Sequence, residues 1–124
     1  GVRHQSIDDI AIMRVIPNMT VLEVGDATEV ESVLDIAHAI DGPVYLRMLR
    51  GEVPRLFDTP MEFNKARVLT CAGEDINEPA DIVIVTSGIC TEEAMRAVPA
   101  IVDRGLKVTH LHVSTLKPFS DPTV

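Results

Sequence analysis

Two aliphatic runs with a helical stretch between them constrain the fold of this chain more than any other feature. Residues 80–86 (Ala-Asp-Ile-Val-Ile-Val-Thr) and 106–114 predict buried strands, and residues 91–104 carry apolar side chains at helical spacing. A strand–helix–strand unit of this length predicts a right-handed crossover between parallel strands. Pro99 lies inside the predicted helix, where it predicts a kink or a split. Aromatic residues make up only 3% of the chain, and an aliphatic core is typical of α/β proteins.

The first half of the chain predicts the order helix–strand–helix–strand. Ser6, followed three residues later by an aspartate, resembles the start of a capping box, and Pro17 ends the first helix. Residues 20–24 and 43–49 predict short strands, and Asp26 caps the helix between them. The apolar stripe of this second helix comprises Val30, Val33, Leu34, Ala37 and Ile40.

The periodicity fails over residues 51–64, which contain two prolines and predict a linker. The expected organisation is therefore one α/β unit over residues 1–50 and a second over residues 65–124. Each resembles a piece of a larger parallel sheet, the first without its beginning and the second without its end. Together with the missing initiator methionine, this pattern leads us to expect a chain cut from a longer protein.

Composition excludes two classes of function. The net charge is −8 and no Lys/Arg stripe is evident, so binding to nucleic acid through a broad basic face is excluded. The apolar runs are far shorter than the ~20 residues that span a bilayer, so no membrane segment is predicted. Cys71 and Cys90 follow no metal or disulfide spacing, which favours a reduced, cytoplasmic setting.

Three motifs closely resemble the transketolase family. They are His4-Gln5-Ser6-Ile7-Asp8-Asp9-Ile10-Ala11, Ile16-Pro17-Asn18-Met19-Thr20-Val21, and Gly42-Pro43-Val44-Tyr45-Leu46-Arg47-Met48-Leu49-Arg50-Gly51. Ser87-Gly88 and Ser114-Thr115-Leu116-Lys117-Pro118-Phe119 are similar to the C-terminal domain that follows in that family. The resemblance covers essentially the whole chain, most closely the separate C-terminal subunit of split transketolases. It implies the second half of a pyrimidine-binding domain over residues 1–50 and the first part of a transketolase C-terminal domain over residues 65–124.

The resemblance also implies a site and a reaction. In the family, thiamine diphosphate lies between the diphosphate-binding domain of one chain and the pyrimidine-binding domain of its partner. His4 matches the histidine that reaches the reacting thiazolium carbon and the substrate oxygens. Arg50 matches the arginine that binds the phosphate of the sugar, and Gln5 is expected to be structural. The implied reaction transfers a two-carbon ketol unit between sugar phosphates.

Other features of the family pattern are missing. The Gly-Asp-Gly…Asn motif that holds magnesium and the diphosphate is absent, and the catalytic glutamate and the aromatic contacts to the pyrimidine are expected upstream of residue 1. Arg3 replaces the usual Thr or Ser beside the histidine, and Val24-Gly25-Asp26 replaces the usual Pro-Ala-Asp. We therefore expect no thiamine diphosphate and no activity in the isolated chain. An N-terminal, diphosphate-binding subunit or domain is the expected partner, in a homo- or hetero-oligomer.

Two alternatives stay open at this point. One is a non-catalytic assembly module with the transketolase-like fold, which the missing glutamate and Arg3 favour for the isolated chain. The other is a fragment of an enzyme similar to deoxyxylulose-phosphate synthase.

Several residues have a plain structural interpretation beside a functional one. His110 and His112 alternate along a strand and share a face, but no third metal ligand stands at a fitting spacing. Cys90 is expected to be a buried thiol, and Ser87-Gly88 an ordinary strand–helix turn rather than an anion site. Arg47 is interpreted as structural.

Overall fold

The structure, a computed structural model, describes residues 6–124. It contains three helices and six strands within these residues, with parallel pairing in both sheets, which confirms the predicted α/β class. The elements are α1 Asp9–Val15, β1 Thr20–Glu23, α2 Ala27–Ala39, β2 Val44–Arg47, β3 Arg67–Thr70, β4 Ile82–Thr86, α3 Cys90–Val102, β5 Val108–His112 and β6 Thr115–Lys117. None of the helices within residues 6–124 is long and apolar enough to cross a membrane.

The strands form two sheets of three strands each. In the first sheet, with the order β2-β1-β6, β1 pairs parallel with β2 and antiparallel with β6. In the second, with the order β3-β5-β4, β5 pairs parallel with β4 and antiparallel with β3. The parallel pairing predicted around the third helix is therefore confirmed. Residues 115–117, which follow β5 closely, form a strand of the first sheet.

Asp26 caps α2, as predicted, and also ties the helix to the segment after β2. Its Oδ1 accepts a hydrogen bond of 2.8 Å from the amide of Glu29, and its Oδ2 accepts the amides of Leu56 and Phe57. A small apolar core, to which α2 contributes Val33 and β1 contributes Leu22, also contains Val24 and Met61. Leu34 belongs to the predicted stripe but is 64% exposed, because only one side of α2 packs on the sheet.

Helix α1 begins later than its sequence pattern predicts. It starts at Asp9, after Asp8 as the N-cap residue, and no side chain caps its first amides, so the prediction of a Ser6 cap is wrong. Its end before Pro17 is confirmed. At that end Lys117 donates to the carbonyl oxygens of Arg14 (2.8 Å) and Ile16 (2.7 Å), which joins α1 to β6.

The second sheet corrects three predictions. Of the two strands predicted to be buried, β5 is fully buried, whereas β4 lies at an edge, with Val83 60% and Val85 45% exposed. Helix α3 is continuous through Pro99, which lies in its last turn, so the predicted split is wrong and the predicted kink stays a prediction. Cys90, the first residue of α3, is exposed rather than buried.

Candidate functional site

Of the two predicted site residues, His4 and Arg50, only Arg50 lies among the described residues. His4, like Gln5 and Arg3, lies outside the described residues, so its role stays a prediction. Arg50 lies in a bend three residues after the end of β2, and its side chain is exposed. An exposed guanidinium at such a strand end is accessible to the oxygens of a phosphate group.

Arg47, at the end of β2, is the centre of a network of charged side chains. Its Nε donates to Oδ2 of Asp9 at 2.9 Å, and its Nη1 donates to Oε1 of Glu23. Tyr45 donates its hydroxyl to the same Oδ2 of Asp9 at 2.7 Å. The side chains of Asp9 and Glu23 are 8% and 7% exposed, and that of Arg47 is 30% exposed. Two buried carboxylates thus pair with Arg47, whereas Arg50, nearby in the sequence, is exposed and accessible to an anionic ligand.

The pKa values of this network reflect the same contacts. The hydrogen bond from Tyr45 lowers the pKa of Asp9, and the Arg47 guanidinium adds to this effect against the opposing effect of burial. The same hydrogen bond raises the pKa of Tyr45, since it favours the protonated phenol. The Glu23 carboxylate, followed by Asp9, raises the pKa of Arg47. The network is therefore charged on both sides at neutral pH.

The Ser87-Gly88 turn between β4 and α3 contacts a carboxylate. Ser87 donates its hydroxyl to Oε2 of Glu23. Gly88 has φ +54°, and a Cβ at this position would lie 2.9 Å from the carboxyl carbon of Glu23. Glycine is thus required both for the turn and for the approach of Glu23. A turn that faces a buried carboxylate is unsuited to binding an anion, so the structure supports the plain-turn interpretation.

A second polar cluster, centred on the fully buried Glu29 and His112, joins α2 to the second sheet. His112 Nε2 lies 3.0 Å from Oε2 of Glu29, and Ser114 Oγ donates to Oε1 at 2.7 Å. Arg67 donates its Nε to Oε1 at 3.0 Å, and its guanidinium carbon lies 4.3 Å from the centre of the Phe57 ring. An ionised carboxylate only accepts hydrogen bonds, so Nε2 of His112 carries a hydrogen.

Gly25 makes this cluster possible. Its amide donates to Oε2 of Glu29 at 2.9 Å. A Cβ at position 25 would lie 2.5 Å from Cε1 of His112, so any larger residue would displace the imidazole. The departure from Pro-Ala-Asp to Val24-Gly25-Asp26 thus has a structural reason in this chain.

Burial and hydrogen bonding act in opposite directions on Glu29. Burial by itself raises the pKa of a carboxyl group, and here it is the largest single effect. The hydrogen bond and charge of His112, with the hydrogen bonds of Gly25 and Ser114, outweigh it and lower the pKa to about 2. Glu29 is therefore ionised at neutral pH.

His110 and His112 share a face, as predicted, but Nε2 of His110 and both nitrogens of His112 bond to hydroxyl or carboxyl groups. Nε2 of His110 lies 2.8 Å from Oγ1 of Thr86, and Nδ1 of His112 lies 2.6 Å from Oγ1 of Thr91. Burial, with the charge of His112, lowers the pKa of His110. Within the part of the chain that the structure describes, no group of three or more His, Cys, Asp or Glu side chains is placed to hold a metal ion.

An apolar pocket of about 380 Å³ lies next to the segment that carries Arg50. Its lining comes from the residue after β1, from α2 and from the segment after β2: Val24, Ala27, Val30, Glu31, Met48, Leu49, Gly51 and Val53. A ligand whose phosphate group binds to Arg50 would thus have an apolar surface beside it.

Sequence reasoning missed the organising roles of Arg47, Glu23 and Glu29. A signal was present, since Glu23 ends a strand predicted to be buried and Glu29 lies one residue before the apolar stripe of α2. Acidic residues at buried positions need cationic or hydrogen-bonding partners. The sequence does not identify those partners, which lie far away along the chain.

Comparisons with known proteins agree with the resemblance of the sequence motifs. Residues 1–55 match the family model of the transketolase pyrimidine-binding domain. A putative transketolase family protein of Sinorhizobium fredii is 35% identical over this whole chain and 35% of its own length. A 1-deoxy-D-xylulose-5-phosphate synthase of Listeria innocua is 33% identical over 98% of this chain and 19% of its own length.

Among solved structures, a split-gene transketolase, described as an inactive beta4 tetramer, superposes with a TM-score of 0.82. It is 36% identical, over 95% of this chain and 38% of that one. The chain thus spans about a third of the length of the Sinorhizobium relative and of the split-gene transketolase. The sequence motifs, the α/β fold with its parallel strand pairs and these matches together identify the chain as a member of the transketolase family.

Proposed function

We propose that the protein containing this chain transfers a two-carbon ketol unit between sugar phosphates with thiamine diphosphate as its cofactor. The observation that carries the proposal is the match of residues 1–55, which include both His4 and Arg50, to the pyrimidine-binding domain of transketolases. In the same proposal, residues 1–50 form part of that domain, residues 51–64 link it to the next, and residues 65–124 begin the transketolase C-terminal domain. The free thiols of Cys71 and Cys90 favour a reducing, cytoplasmic setting.

Two side chains of this chain carry the proposed chemistry. The His4 imidazole donates a hydrogen bond to the substrate oxygen on which charge develops and moves a proton near neutral pH. The Arg50 guanidinium pairs with the phosphate oxygens and so fixes the distance between the phosphate and the reacting carbonyl group. When bound, thiamine diphosphate supplies the stabilisation of a carbanion that no side chain provides.

The described residues do not fit the magnesium-diphosphate part of this cofactor. Residues 6–124 hold no cluster of three or more metal-ligating side chains, and magnesium requires several oxygen ligands around it. We therefore propose that an N-terminal, diphosphate-binding subunit or domain holds the magnesium and the diphosphate, in an oligomer with the chain described here. The split-gene transketolase among the similar structures supports this arrangement.

The proposal is tested by an activity assay. The complete protein is purified with its N-terminal partner and incubated with thiamine diphosphate, magnesium, a ketose phosphate donor and an aldose phosphate acceptor. We expect the two-carbon unit to appear in the lengthened aldose. A partnered complex that shows no transfer with a panel of sugar phosphates would favour the non-catalytic assembly module instead.

A second candidate function is that of a deoxyxylulose-phosphate synthase, because a Listeria synthase is 33% identical over nearly the whole chain. The two reactions differ in their donor. The same complex is therefore supplied with either xylulose phosphate or pyruvate as the donor, and glyceraldehyde phosphate as the acceptor. Consumption of pyruvate with release of carbon dioxide would favour the synthase over the transketolase.

Replacing Arg50 with glutamine is expected to raise the KM of the complete enzyme for its phosphorylated substrate about 10- to 100-fold, because a charge-assisted pair with phosphate is lost. The turnover number should change little, since the phosphate does not react. Steady-state kinetics measure both values. Arg104→Gln, at an exposed position after α3, is the matched control. An unchanged KM in Arg50→Gln would refute the assigned role.

The 124-residue chain alone is expected to give no calorimetric isotherm with thiamine diphosphate and magnesium at micromolar concentrations. The reason is that residues 6–124 lack a cluster of ligands for the metal. Titration of the complex with its N-terminal partner is the positive control. A micromolar isotherm with the isolated chain would contradict the proposed division of the site between subunits.

A further inference from the structure

We propose that Arg47 and Glu23 are positioning residues, which hold the beginning of α1 and with it the segment that carries His4. This inference rests on the proposed function, because it assigns the network a task in that reaction. His4 precedes Ser6, the first described residue, by two positions in the sequence. Whatever fixes Ser6 and Asp9 therefore limits where the chain can place His4.

The guanidinium of Arg47 contacts α1, β1 and the residue Ser6 before α1. Nε donates to Asp9, the first residue of α1, and Nη1 donates to Glu23, the last residue of β1. Nη2 lies 3.4 Å from the carbonyl oxygen of Ser6. A lysine ammonium is a single point charge and has no such planar fork, so it cannot reproduce all three contacts.

Helix α1 has few other restraints at this end. It has only seven residues, no side chain caps its first amides, and Ile7, Ile12 and Val15 are exposed. A helix this short is unstable without tertiary contacts. Its last turn is held by Lys117, whereas its first turn depends on the bonds that Asp9 makes with Arg47 and Tyr45.

Glu23 anchors Arg47 to the second sheet. Its Oε1 accepts from Arg47 while its Oε2 accepts from Ser87, in the turn that opens α3. Glu23 is buried, and its two carboxylate oxygens have different partners, Arg47 and Ser87. It therefore cannot move without breaking one of these bonds. The network therefore runs from the first residue of α1, through β2 and β1, to the β4–α3 turn.

The test compares Arg47→Lys with the control Arg55→Lys in the complete protein with its partner subunit. Arg55 pairs with Glu31 in an ion pair whose two side chains are more than half exposed. In Arg47→Lys we expect the amide of Ile12, which bonds to the carbonyl of Asp8, to exchange with deuterium about 10-fold faster or more. Amides of β1 should keep their wild-type rates in both variants.

Kinetics distinguish positioning from direct binding. In Arg47→Lys we expect kcat to fall about 10- to 100-fold, with KM for the sugar phosphate within about 3-fold of wild type. A rise in KM alone would show that Arg47 binds substrate and would overturn the proposal. Unchanged exchange at Ile12 would overturn it as well. If Arg47→Lys does not fold, Tyr45→Phe takes its place, because it removes a single hydrogen bond to Asp9. In Tyr45→Phe we expect smaller changes in the same direction, both in the exchange rate at Ile12 and in kcat.

Failure of this inference and failure of the proposed function give different results. A wild-type complex without ketol transfer would refute the proposed function, while the exchange rate at Ile12 still decides whether Arg47 holds α1. Conversely, an active wild-type complex with unaltered exchange and kcat in Arg47→Lys would refute the positioning role alone.

Discussion

Replacing Glu29 with alanine is expected to lower the free energy of unfolding by about 3 to 5 kcal/mol, which is typical of breaking a buried ion pair. The Glu29 side chain is wholly buried and accepts hydrogen bonds from Gly25, Ser114 and Arg67 as well as contacting His112. Its removal leaves these donors without their carboxylate acceptor, and those of Gly25 and Ser114 are buried. Urea denaturation followed by far-UV circular dichroism measures the loss, since the chain has one Tyr and no Trp.

The matched control is Glu31→Ala, two residues further along α2. Glu31 also pairs with an arginine, but its side chain is 65% exposed. Exposed ion pairs contribute little, because water solvates the separated charges well. Equal losses of stability in the two variants would contradict the assignment of Glu29 as the centre of the buried cluster.

Acid should weaken the wild-type protein through the same carboxylate. The folded-state pKa of Glu29 is about 2, below the ordinary 4.5. Its contribution of about 3 kcal/mol is therefore complete above pH 4.5 and is lost as the pH falls towards 2. The neutral, buried His110, whose pKa is lowered, also disfavours the folded state in acid. The difference between wild type and Glu29→Ala isolates the Glu29 contribution, and a difference that does not change between pH 5 and pH 2 would refute it.

Replacing His4 with alanine is expected to reduce kcat of the complete enzyme about 10²- to 10⁴-fold, the range for loss of a positioned acid–base group. The transketolase resemblance gives His4 the contact with the reacting atoms, and the proposed mechanism has no second imidazole for that task. Steady-state ketol transfer by the protein with its partner subunit measures the effect.

His38→Ala provides the control, because His38 is exposed on α2. We expect this variant to retain wild-type kcat. Full activity of His4→Ala would refute the proposed role of His4. A third variant, Arg3→Thr, restores the residue type usual in the family, and an increase in kcat would show that Arg3 limits the reaction.

Local signals in the sequence predicted most elements of this fold. Asp26 and Pro17 act within one turn of their own positions, so their effects on α2 and α1 follow from the neighbouring residues alone. Which side of an element is covered depends on the rest of the structure. Leu34 is exposed for that reason, and so is Val83 on the edge strand β4.

The polar clusters could not be predicted in the same way. Glu29 and His112 are 83 residues apart in sequence, and Arg47 and Asp9 are 38 apart. A buried charge predicts that a partner exists, but only the topology brings that partner close. The ion pairs of Arg47 are compatible with the structural interpretation, but the sequence does not show that this residue joins α1 to β1.

The return of β6 to the first sheet has a consequence for how the chain folds. Strand β1 borders β6 on one side, and the residues between them along the sequence include the whole second sheet. The first sheet can therefore be completed only after the chain has closed a loop that contains the whole second sheet. Pairing of this kind slows folding, because the entropy of loop closure is lost before the contacts form. We expect the two sheets to unfold together rather than one after the other.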